Sequence, residues 1–156
     1  MAISMNKALI SGAIVTIVLL AGGAILLHQE AEERATVSTN DVTLSVRVAD
    51  NPWERTRGLS GLTAEQVKAQ GMLFVFPEAE VQHFWMKGME LPLDVLWIRD
   101  GKIISLDENV PAPEGGEEPA SMTSEPIPVD MVLELPAGYA KHFDLHPGSP
   151  LKIELP

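Results

Sequence analysis

The chain has 156 residues, 46% of them hydrophobic and 21% charged, an ordinary balance for a globular protein. Its 22 acidic residues outnumber 11 basic ones, giving a net charge of −11, which argues against a surface built to grip nucleic acid or anionic lipid head groups. Cysteine is absent, so disulfides, thiol catalysis and thiolate metal sites are excluded.

Residues 8–27, ALISGAIVTIVLLAGGAILL, carry no charge. At ~1.5 Å per helical residue such a run spans the ~30 Å hydrocarbon core, so an uncleaved single-pass transmembrane helix is expected. Lys7 keeps residues 1–7 in the cytoplasm by the positive-inside rule and sends the C-terminal domain outside it. AGGA at 21–24 offers the small residues of a signal-peptide cleavage site, but Ile25, Leu26 and Leu27 prolong the apolar run beyond it. A buried core helix fits less well, because the run is apolar on all faces. Residues 28–40, HQEAEERATVSTN, are polar and are expected to be a tether, with a folded domain over 41–156.

Within that domain, 42–49 alternates: Val42, Leu44, Val46 and Val48 share one face of a half-buried strand, opposite Thr43, Ser45 and Arg47. Asn51-Pro-Trp-Glu54 has the N-cap, N1 and N3 residues of a helix start, and Gly58 or Gly61 ends that helix. Thr63-Ala-Glu-Gln66 is a capping box opening a second helix to about residue 70, with Gly71 just past its end. A short buried strand over 72–76 is closed by Pro77, and another strand covers 82–87. Asp100-Gly101 between β-rich runs at 93–98 and 102–107 marks a hairpin. Residues 109–128 form a long Pro-, Gly- and Glu-rich loop. Strands follow at 131–135 and 151–155, separated by a helical turn and a tight turn.

Six or seven short strands with two or three short helices predict a mainly β fold, a compact antiparallel sandwich or distorted barrel. Parallel βαβ architecture is not expected, because crossover helices of normal length are missing.

Arg57-Gly-Leu59, Gly71-Met-Leu-Phe-Val-Phe76, Phe84-Trp-Met-Lys87, Pro92-Leu-Asp94 and Val132-Leu-Glu-Leu135 with Gly138 occur in this order. The set resembles the prokaryotic family known as domain of unknown function 192, over about residues 42–156. The resemblance implies a compact β fold with short helices, often behind a signal peptide or membrane anchor, and no established activity. Two positions depart from it. Gly88-Met89 stands where many members have Asn-Thr, and Gly148-Ser149 where many have Gly-Asp.

The charges inside the apolar segment 83–98 raise the functional question. On a strand over 82–87, His83, Trp85 and Lys87 share one face and Phe84 and Met86 the other, leaving Lys87 free to lay its stem over Trp85. Asp94 lies just past Pro92, within reach of Lys87 or Arg57. The favoured reading makes Asp94 a turn-maker that accepts backbone N–H bonds. The functional reading is a pocket of Arg57, Trp85, Met86, Lys87, Asp94 and Trp97, with apolar walls and a few polar groups.

His142, Asp144 and His146 lie in a turn-like segment and are not expected to hold a metal. No phosphate loop or dinucleotide fingerprint appears, so no cofactor is expected. Trp53, Met72 and Phe76 read as core, and Glu134 as solvent-facing, with pairing to Arg57 as its alternative. Together these features describe a membrane-tethered, extracytoplasmic binding domain that meets an envelope component or protein partner near residues 83–98. The alternative is a small hydrolase or lyase with Asp94 and His83 as acid and base.

Overall fold

A computed structural model of the chain describes residues 14–20, 23–29, 33–39, 42–68 and 71–156. The chain divides into two units, Met1–Glu32 and Glu33–Pro156. In the first, β1 (Ile14–Leu20) pairs antiparallel with β2 (Gly23–Gln29). Of the expected membrane helix, residues 8–13 and 21–22 lie outside the described residues, as do residues 1–7. The rest of it is paired as strands, a geometry that the β-branched run Ile14-Val-Thr-Ile-Val18 also suits. Among the described residues no helix is long and apolar enough to cross a membrane.

The second unit is mainly β. Its strands are β3 (Arg34–Ser38), β4 (Thr43–Ala49), β5 (Met72–Glu80), β6 (His83–Trp85), β7 (Leu93–Arg99), β8 (Lys102–Val110), β9 (Ser121–Thr123), β10 (Val129–Pro136) and β11 (Lys152–Glu154). Its three short helices are α1 (Pro52–Arg57), α2 (Ala64–Lys68) and α3 (Tyr139–His142). Seven strands form one sheet in the order β11-β3-β4-β5-β10-β7-β8, while β6 and β9 form a separate ribbon.

The sheet curls into a half-barrel. Its two edges meet where Lys102 bridges Pro150, with Gly148 N–H donating to the Ile103 carbonyl at 2.7 Å and Ile103 N–H to the Ser149 carbonyl at 3.1 Å. The inner face carries Val37, Val46, Leu73, Leu133, Leu96 and Ile103 with Leu145 beyond α3. The outer face carries Phe74, Val95, Trp97 and Val132, covered by Leu59, Val67 and Met86. Both faces of the central strands are therefore largely covered.

The helix starts match the expected signals. The Asn51 side chain accepts the Glu54 N–H at 3.0 Å. Thr63 and Gln66 cap reciprocally, at 2.9 and 3.3 Å. Residues 69–70, at the expected end of α2, lie outside the described residues. Asp100 and Gly101 both take positive φ in the β7–β8 turn, as a two-residue hairpin requires.

Five expectations need correcting. The expected loop over 109–128 holds the end of β8 and all of β9, which pairs with β6. β3 occupies 34–38 of the expected tether and pairs with both β4 and β11. Only Ala35 and Val37 bury their side chains there, too short an alternation to read. β5 does not close at Pro77 but continues to Glu80. Its pairing with β10 shifts register between Val75 and Glu80, and such an irregular edge needs no amide from proline. β4 and β5 are parallel, so one crossover exists, made by the two short helices α1 and α2. Trp53 is 74% exposed rather than core.

Gly71 sits at φ +52°, and a Cβ there would lie 2.7 Å from the Glu134 carbonyl oxygen and 2.8 Å from Leu135 Cδ2. Gly71→Ala is expected to cost about 2–4 kcal/mol, from left-handed backbone strain plus overpacking against backbone. Gly88→Ala should cost less. At φ +74° its Cβ would meet the Ser60 hydroxyl, a side chain that can turn away. Urea unfolding of the two variants side by side checks the order.

Candidate functional site

α1 and β6 face each other across the outer side of the sheet and leave a cleft of about 440 Å³ between them. The Asn51 cap and Pro52 start α1, and Gly58 ends it, which puts Arg55 and Arg57 in its last turn. Arg55 is committed to structure: its guanidinium donates to the carbonyls of Asp50 and Val75, the latter at 2.9 Å, and lies 5.5 Å from the Phe76 ring centre. Arg57 lines the cleft and makes no hydrogen bond or ion pair with a described side chain.

On the opposite wall, β6 is held by its pairing with β9 and by Phe84. That ring meets Phe74, Phe76 and Trp97 edge-on, with centroids 4.8, 6.5 and 5.6 Å away. Turning Phe84 inward turns His83 and Trp85 outward, as period-2 alternation requires, and Trp85 is 60% exposed. Lys87 follows in a turn that docks on the α1–α2 loop, where Gly61 N–H donates to the Gly88 carbonyl at 3.1 Å. Its ammonium lies 5.1 Å from the Trp85 ring centre, the stacking expected for that lysine.

Glu134 also lines the cleft. It is only 4% exposed, and its carboxyl makes no hydrogen bond or ion pair with a described residue. Burial pushes that carboxyl up to about 8, so it is mostly uncharged at neutral pH. Its strand explains the placement. β10 lies between β5 and β7, and Glu134 opposes Met72 on one side and Val95 on the other, both outer-face core residues. The expectation that Glu134 faces solvent is therefore corrected: a central strand covered on both faces has no solvent side.

Of the residues expected to share a pocket, the structure brings together Arg57, Trp85 and Lys87, and adds His83 from the acid–base pair. Met86 is fully buried core. Trp97 is 1% exposed, with its indole N–H donating to Asp107 Oδ2 at 2.6 Å. Asp94 points to the inner face, away from the cleft. It is 1% exposed and accepts the Asn109 N–H on Oδ1 and the Ala140 N–H on Oδ2, each at 2.9 Å. Asp94 is thus the turn-maker, and it does not meet His83, Lys87 or Arg57. His142 ends α3, while Asp144, at φ +53°, and His146 belong to the turn after it, so the three share no strand face.

Residues 34–153 match the family DUF192, described as an uncharacterised ACR. The chain belongs to the DUF192 family. No protein of curated function matches it. Three solved chains do, among them the following two. A Sinorhizobium meliloti protein described as a candidate transcription regulator is 37% identical, with a TM-score of 0.64, over 80% of this chain and 94% of that one. A Novosphingobium aromaticivorans protein of unknown function is 22% identical, with a TM-score of 0.61, over 97% of this chain and 99% of that one, a likeness of fold. The two departures from the common DUF192 pattern both fit their sites. Ser149 Oγ accepts the His146 N–H at 3.1 Å, a turn-capping bond that an aspartate would make equally. Gly88 takes the left-handed backbone that asparagine also tolerates.

Proposed function

We propose that this DUF192 chain is a membrane-tethered binding domain that takes a small ligand in the cleft between α1 and β6 and displays it outside the cytoplasm. The observation that carries the binding reading is the cleft itself: apolar walls, two cations without an anionic partner among the described side chains, and one buried acid, the mixture ligand sites use. The tether reading rests on the uncharged run 8–27. A two-stranded ribbon leaves unpaired amides and carbonyls along both edges, each costing several kcal/mol in hydrocarbon, whereas one helix satisfies them all. A bilayer therefore favours the helical form of this segment, and Lys7 sets its direction. The partner is an envelope component or another protein. A role by direct contact with DNA finds no support in a chain of net charge −11. The acid–base alternative lacks its acid, because both Asp94 oxygens are held by backbone on the other face of the sheet.

The test uses residues 33–156, a unit with its own sheet and cores. The Sinorhizobium relative, matched over 94% of its length by 80% of this chain, folds with little else. Titration with the uncharged naphthalene dye N-phenyl-1-naphthylamine, read by dye emission, should give saturable binding. Trp85→Ala should weaken it about tenfold, as removal of an aromatic anchor does, and His83→Ala less than threefold. Non-saturable emission, or equal loss in the two variants, would overturn the reading.

A further inference from the structure

Arg57 and Lys87 stand on opposite walls of the cleft, one from the end of α1 and one after β6, and neither has an anionic partner among the described side chains. That is unusual on a chain with twice as many acidic residues as basic ones. The guanidinium charge is felt further along the same face: Arg47 on β4 is lowered, first by burial and then by the positive charge of Arg57. Between the cations, the walls are the rings of Phe74, Phe76, Phe84 and Trp85.

Resting on the binding role argued above, we propose that the cleft is a receptor for small organic anions, a carboxylate or phosphoryl head on a compact apolar body, held by Arg57 and Lys87 beside a carboxyl, Glu134, that must stay uncharged while the anion is bound. The head meets the two cations and the body lies on Trp85 and the phenylalanines. A charged Glu134 in the same low-dielectric cleft would repel the anion with little screening. The other groups on this side are Arg55, fixed to two carbonyls; His83 on β6; Asp107 on β8, which accepts from Trp97; and α2, which presents Val67 to the core and leaves Glu65 and Lys68 exposed. None of these places a second carboxylate beside Glu134. The raised Glu134 value, about 8, sets where the effect falls: the anion is held in neutral solution and released as pH rises past that value.

The experiment measures binding of benzoate, benzamide and benzylamine to residues 33–156 by calorimetry at pH 6.5 and pH 9.5. These probes share one ring and differ in charge. Benzoate should bind at least tenfold more tightly than benzylamine at pH 6.5, and lose at least tenfold at pH 9.5. In Glu134→Gln the benzoate affinity should be equal at the two pH values, because the isosteric amide does not ionise. In His83→Gln the pH dependence should persist. Arg57→Ala and Lys87→Ala should each weaken benzoate and leave benzamide unchanged. A preference for benzylamine or benzamide, a pH dependence that survives in Glu134→Gln, or no binding of any of the three overturns the anion proposal. If the naphthalene dye still binds through Trp85 in that last case, the cleft remains a binding site and only its charge selectivity is refuted. If the dye fails too, the binding role falls with it.

Discussion

Replacing Asp94 with asparagine is expected to destabilise the domain by about 2–4 kcal/mol at neutral pH, the cost of breaking a buried, charge-assisted hydrogen-bond set. The carboxylate spans two segments that are distant in the chain: the Asn109 amide at the end of β8 and the Ala140 amide in α3. Asparagine keeps one acceptor oxygen and turns an NH2 toward the other amide, leaving two donors face to face with no water to separate them. The variant should therefore lose stability without losing ligand binding, since the residue lies on the inner face and the cleft on the outer. Urea unfolding followed by circular dichroism measures the first and the dye titration the second. An unchanged midpoint would mean that the two amides find other acceptors and that Asp94 is not what holds α3 to the sheet.

Replacing Glu134 with glutamine should do the opposite, and only in part of the pH range. The carboxyl has an ordinary value of 4.5, and burial raises it to about 8 in the folded protein. Between those limits the unfolded chain has released a proton that the folded chain retains. Stability from this group is fully present below pH 4.5, declines by up to ~1.4 kcal/mol per pH unit above it, and is gone above pH 8. Glutamine has no proton to lose. The variant should match the wild type near pH 4.5 and exceed it increasingly toward pH 8, by a gain on the order of 4 kcal/mol at the upper end. Thermal or urea unfolding of the pair at several pH values isolates the effect, because the remaining carboxylates contribute equally to both proteins. A difference that does not change with pH would mean that Glu134 is solvated or paired in solution. The expected gain in Glu134→Gln would mean that the residue is kept at a cost to stability in neutral solution, as groups kept for function often are.

What was legible in the sequence was mostly local. Asn51, Thr63 with Gln66, and Asp100-Gly101 each act within a few residues of themselves, so their chemistry is written beside the structure they make. That Asp94 accepts backbone N–H bonds was legible from a carboxylate after proline at a strand mouth, but its partners, Asn109 and Ala140, lie far along the chain and were not. The inward Phe84 and outward Trp85 followed from a two-residue period. Glu134 was misjudged because its neighbours Leu133 and Leu135 point one way and it points the other, which on a one-sided sheet means water. Helices α1 and α2 cover that other face, and nothing within β10 announces them. β3 was missed because its two buried residues gain their meaning from β4 and β11, the latter at the far end of the domain. His83 and Asp94 do not meet, because His83 sits on the separate β6–β9 ribbon over the outer face while Asp94 points to the inner face of the sheet.

The meeting of β3 with β11 has a kinetic consequence. Thr36 pairs with Glu154, so the first and last strands of the domain are partners, and the loop their contact closes is nearly the whole domain. Contacts of such high order form late, after shorter-range pairings have lowered the entropy of bringing the ends together. Until β11 has been synthesised, β3 keeps an open edge with unpaired amides, the kind of edge on which chains associate wrongly. Docking of β11 on β3 closes that edge, which makes β11 the latch that completes the sheet.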